Sequence, residues 1–146
     1  MQNDKVVVNE YWLDEFLAPL YLEGDDNHPL FGINLNNEES MVKLVGEVLE
    51  PTYHSYAPHQ QLRLKEALRY ALNAYSDRKL SGAYDHALPA LEMPSYKTPK
   101  EFFQDIWRLM LGDENYIVDI EDYVVIDDPS ESIFAKGVER RALEKT

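Results

Sequence analysis

Apolar positions along the chain follow several different spacings, and the longest stretch with a single period is APHQQLRLKEALRYALNAYSDRKL, residues 57–80. Within it Leu64, Leu68, Ala71, Leu72 and Tyr75 share one face of a 3.6-residue period, which predicts a central α-helix. Pro58 suits the first turn, where a missing N–H has no intrahelical partner to lose, and Ser81-Gly82 supplies a stop. The clearest local signal is Thr98-Pro99-Lys100-Glu101. Thr98 caps, Pro99 takes the first helical position, and Glu101 completes a reciprocal capping box. Phe102, Phe103, Ile106, Trp107, Met110 and Leu111 follow as one apolar face, and Gly112 closes that helix.

Three further segments have helical spacing. Leu13, Phe16, Leu17, Leu20 and Tyr21 align behind Asn9 as N-cap, with Tyr11 and Trp12 as core anchors. Pro19 is expected to kink or end this helix near Ala18. Residues 37–49 repeat the period through Met41, Leu44, Val45, Val48 and Leu49, with Glu38 and Glu39 complementing the first turn. Glu50-Pro51 should end that helix, leaving 52–58 as a link. A last helix is expected from about Ser130 to Glu144 with Phe134, Val138 and Ala142 inward.

Strand patterns are short. Residues 5–8 are a β-branched run suited to an edge strand. Residues 30–35 alternate, with Phe31, Ile33 and Leu35 opposite Gly32, Asn34 and Asn36. NYIVDIEDYVVI, residues 115–126, alternates and then becomes a solid run; its β-branched content predicts strand, which Glu121-Asp122 can divide into two, while Ile117, Ile120 and Val124 also fit a helix. EGDDNHP, residues 23–29, is a polar loop without the ligand spacing of a calcium loop. A connection punctuated by Pro89, Pro94 and Pro99, pinned by Tyr84, Leu88, Leu91 and Tyr96, follows Gly82. These elements predict a mainly helical α+β fold. About five helices surround the central helix at 57–80, and two or three short strands form a small sheet or hairpin. The 146 residues fit one globular domain, 1–146.

Composition narrows the functional classes. At 45% hydrophobic residues the chain can bury a core, and the lack of cysteine removes disulfides, thiol nucleophiles and thiolate metal sites. The N-terminal residues lack a basic n-region and a long apolar run, so no secretory leader and a cytoplasmic location are expected. Net charge is −13, and its distribution matters more than its size. Residues 10–50 are acidic apart from Lys43, and residues 113–131 carry no lysine or arginine. Between them, Arg63, Lys65, Arg69, Arg78 and Lys79 outnumber Glu66 and Asp77 on the central helix. Such a field repels phosphates and disfavours direct nucleic-acid binding, while favouring a basic partner.

The sequence contains no Gly-rich phosphate loop, no GxSxG elbow and no helical His-x-x-x-His pair. No cofactor is expected. His28, His54, His59 and His86 are scattered; His54, His59 and His86 with Asp85 are the residues from which a small metal-assisted or acid–base hydrolase would have to be built. The stronger pattern is acidic and aromatic together: Asp113, Glu114, Tyr116, Asp119, Glu121, Asp122, Tyr123, Asp127 and Asp128. Carboxylates set association rate with a basic protein, and aromatics supply hot spots. That pattern points to a non-enzymatic protein-binding domain, most specifically an inhibitor or immunity protein for a basic toxin or nuclease. Self-association through the Phe102–Leu111 face or the basic helix is the remaining alternative.

Overall fold

Two short β-branched runs, far apart in sequence, lie side by side. The computed structural model describes residues 5–21, 34–87 and 92–135. β1 (Val6–Asn9) and β2 (Tyr123–Ile126) pair in parallel, with Val6 opposite Tyr123 and Asn9 opposite Ile126. A parallel pair needs a crossover, and here every intervening helix belongs to it. The fold is mainly helical α+β, with a small sheet rather than a hairpin. Residues 115–122 do not form the expected strand. They have no strand partner before one 3₁₀ turn at Ile120–Asp122, where the Asp119 carboxylate accepts from the Glu121 N–H.

α1 (Tyr11–Leu17) starts where the Asn9 side chain accepts from the Tyr11 N–H at 3.0 Å. It ends where Pro19 forces a 3₁₀ turn, Ala18–Leu20. α2 (Glu38–Leu44) is capped by Asn37. Contrary to expectation, Pro51 does not stop this segment. The backbone widens into a π turn over Val45–Leu49, with the Glu50 N–H donating to the Val45 carbonyl, and continues as α3 (Glu50–Ser55). A proline ring inside an α-helix collides with the carbonyl four residues back, and a wider turn before it relieves that collision. The Thr52 hydroxyl then donates to the Val48 carbonyl at 3.0 Å, supplying a partner within the irregular stretch.

The predicted central helix is two helices. α4 (Pro58–Ala74) stops at Tyr75, whose backbone is extended, and Ser76 caps α5 (Asp77–His86) by accepting from the Lys79 N–H. Ser81-Gly82 lies inside α5 instead of ending the helix. The break lets α5 turn to pack on α1 and on α6 (Pro99–Leu111) while Tyr75 stays buried. α6 begins at the predicted Thr98–Glu101 capping box. It ends at Gly112, whose φ of +61° is readily adopted only without a side chain.

Trp12, Leu13 and Leu17 from α1, Leu64, Leu68 and Ala71 from α4, and Phe102, Phe103, Ile106 and Trp107 from α6 build the core. The α6 face proposed for self-association is therefore interior. After β2 the described residues form turns, in which Ile133 is fully buried and Phe134 is 56% exposed, the reverse of the expected inward Phe134. The rest of that expected helix, the 23–29 loop, His28, most of the 30–35 strand, Leu88, Pro89 and Leu91 lie outside the described residues. Among the described residues, no helix is long and apolar enough to cross a membrane.

Candidate functional site

The cations of α4 and α5 are largely engaged inside the fold. Lys65 and Arg69 converge on the Glu114 carboxylate at 2.9 and 2.6 Å. The Arg69 guanidinium also lies 5.3 Å from the centre of the Trp107 ring. Arg63 is buried, sits over the Trp12 indole and donates to the Ile133 and Ala135 carbonyls. Lys79 meets Glu10 at 3.1 Å and stands over the Tyr75 ring at 4.2 Å. The acidic segments thus neutralise part of the basic helix within the same molecule.

This divides the expected site residues into two groups. Glu114 is scaffold: its side chain clasps α4, and its carbonyl accepts from the Trp107 indole N–H at 2.7 Å. The hydrogen bond from Lys65, followed by the charges of Lys65 and Arg69, holds its carboxyl below the usual carboxylate range. Tyr123 is also scaffold, since its ring is buried and its hydroxyl donates to Glu66 at 2.7 Å. Burial, reinforced by the Glu66 carboxylate, pushes that phenol upward. Tyr116 is half-buried, edge-on to Trp107. Neither tyrosine is the free aromatic anchor that the sequence pattern suggested.

Asp113, Asp119, Glu121, Asp122, Asp127 and Asp128 do face solvent. The apolar side chains exposed among them are Ile117, 66% exposed, Ile120, 44%, and Val125, 38%. The cause is local. Asn73 on α4 donates to the Tyr116 carbonyl at 2.6 Å and accepts from the Val118 N–H at 3.3 Å, as a neighbouring strand would. This clamp turns Tyr116 and Val118 toward the core and leaves Ile117 and Asp119 outward. A sequence signal for this existed. In the alternation Asn115, Ile117, Asp119 and Glu121 share a column, so one isoleucine sits on the acidic side.

A cavity of about 420 Å³ opens between α1, the α4–α5 break and the chain just after β2. Glu10, Asp14 and Asp127 line it together with Tyr75, Lys79 and His86. The Asp14 side chain makes no hydrogen bond or ion pair among the described residues. Burial raises its carboxyl above the ordinary range, the charges of Asp127 and Glu10 add to that, and His86 opposes it. His86 thus shares the cavity with Asp14 and not with its sequence neighbour Asp85, which is not among the lining residues. His54 is on α3, edge-on to Tyr53, while His59 lines a separate cavity of about 360 Å³ beside Val6, Val7 and Leu62. Among the described residues no three His, Asp or Glu side chains converge as metal ligands.

No family model, curated protein or solved structure matches this chain.

Proposed function

We propose that this protein is a non-enzymatic, acidic protein-binding domain, most specifically an inhibitor or immunity protein that neutralises a basic toxin or nuclease. One observation carries the reading. Lys65, Arg69 and Lys79 are paired internally, whereas Asp113, Asp119, Glu121 and Asp122 stand exposed with no ion pair among the described residues. An uncompensated acidic surface raises the association rate of a cationic partner and repels phosphate backbones, so the partner is a basic protein. Occupying the groove where such a nuclease holds phosphates would inhibit it.

The test is retrieval from a lysate of the source at low salt, identification of the captured protein, and measurement of its association rate. A basic protein whose capture weakens at high salt is expected. Changing Asp119, Glu121 and Asp122 together to lysine should slow its association by about tenfold or more at low salt. An unchanged on-rate would remove these residues from the interface.

A second reading has its own support. Asp14, carrying a raised carboxyl, and His86 line one cavity, the pairing an acid–base hydrolase requires. A screen of ester, amide and phosphate substrates should then find turnover that Asp14→Asn abolishes. Turnover that survives in that variant, or none in the wild type, would dismiss it.

A further inference from the structure

We infer that residues 115–122 are a pre-organised docking edge that inserts Ile117 and Ile120 into an apolar recess rimmed by lysine and arginine on a basic protein. This rests on the protein-binding reading above and names the contact within it. Single exposed apolar side chains are ordinary on protein surfaces. What distinguishes this pair is how the backbone beneath it is held.

Asn73 fixes the inward side of the segment by its bonds to the Tyr116 carbonyl and the Val118 N–H. Asn115 fixes the outward residue itself, accepting from the Ile117 N–H at 3.0 Å and reaching the Ile117 carbonyl at 3.4 Å. Asp119 then caps the turn that carries Ile120. Ile117 before the turn and Ile120 within it are thus both exposed on a backbone held by hydrogen bonds, so little backbone entropy remains to be lost on binding. Three residues of chain span at most about 10 Å, so a single recess can receive both side chains.

The surrounding charge selects the occupant. Asp113, Asp119, Glu121 and Asp122 flank the isoleucines, and residues 113–131 contain no lysine or arginine. A second copy would bring the same charges into register, and an anionic lipid surface would be repelled. A cationic rim around an apolar slot matches both features, the slot limiting dissociation and the rim speeding encounter.

The experiment is selection of a random dodecapeptide library on the immobilised full-length protein, with enriched peptides then titrated against variants. Ile117→Ser/Ile120→Ser removes the apolar pair and keeps the charge, and Asp119→Asn/Glu121→Gln/Asp122→Asn does the reverse. Val42→Ser, on α2 and 50% exposed, is the control, and circular dichroism with urea midpoints verifies that each variant is folded. Enriched peptides should combine lysine or arginine with bulky apolar residues. They should lose affinity about tenfold or more on the serine pair, mainly through faster dissociation, and bind the Val42 variant normally. Basic peptides that respond to the amide triple variant but not to the serine pair would overturn the inference and leave the acidic-interface reading standing. Peptides indifferent to both variants, or no enrichment, would overturn both. Concentration-dependent sedimentation of the wild type abolished by the serine pair would assign the edge to a second copy and overturn the basic partner.

Discussion

α6 and the chain that follows it are held to the same core by opposite means. α6 is a regular helix whose Phe102, Phe103, Ile106 and Trp107 are buried. Its backbone bonds are internal or supplied by its own capping box, except that the Lys100 N–H donates to the Asp77 carboxylate of α5. Residues 113–135 contain only one short strand and one 3₁₀ turn, so many of their backbone groups need partners from elsewhere. Side chains supply them. Asn73 serves Tyr116 and Val118, and Trp107 serves Glu114. Asn9 donates to the Asp128 and Glu131 carbonyls and accepts from the Asp128 N–H. Trp12 donates to the Glu131 carbonyl, Arg63 to Ile133 and Ala135, and the Ile133 N–H donates to Glu15. An irregular segment is thus fixed in direction by discrete polar stitches added to the few apolar side chains, Tyr123 and Ile133 among them, that it buries. That arrangement leaves its outer face free to carry charge and the two isoleucines.

The largest difference between the regions should appear when apolar area is removed. Phe103→Ala, at a fully buried position on α6, is expected to cost about 3–5 kcal/mol in urea unfolding, as one global transition. Asn9→Ala should cost about 1–3 kcal/mol, because it removes three part-buried hydrogen bonds to the backbone of residues 128 and 131. Its signature is local. Hydrogen exchange at the Asp128 amide should accelerate more than at the Phe103 amide, and equal acceleration at both would erase the distinction between the regions.

The smallest effects depend on pH and have opposite signs. Glu114 has a lowered folded-state pKa, so its contribution is present above the unfolded carboxylate range and is lost as pH falls through the folded value. Glu114→Gln should be less stable than wild type at neutral pH, with the gap closing in acid. Asp14 has a raised pKa, so its ionised form opposes folding at neutral pH and that opposition disappears as pH falls through the raised value. Asp14→Asn should therefore be the more stable protein at neutral pH, and its advantage should close at higher pH than the Glu114 deficit does. Urea midpoints measured across the acid range read both. A stability gap that does not change with pH would show that the charges are not the cause.

The features legible in the sequence are those whose causes lie within a few consecutive residues. Thr98, Pro99 and Glu101 set the start of α6 because cap donors and acceptors are three residues apart. Pro19 ends α1 because its missing N–H and its ring act on the preceding turn. The acidic surface was equally legible, because charge requires no partner to be recognised. The break at Tyr75 was not: the 3.6-residue period runs through it, and the advantage of bending comes from packing α5 onto α1 and α6. Pro51 passed through a helix because a π turn formed ahead of it. The orientation of Tyr116 and Tyr123, the burial of Arg63, and the meeting of Asp14 with His86 all depend on groups distant in sequence.

By itself, then, the sequence determined the mainly helical class, the capped start of α6 and the sign of the surface, all products of local sterics and composition. Tertiary structure decided which charges are scaffold and which face solvent. It also decided that isoleucines, and not tyrosines, stand outward on the acidic edge. The physical reason is that a hydrogen bond or ion pair stabilises only where the fold brings its two halves together, and here Asn9, Arg63 and Asn73 lie far along the chain from the groups they hold.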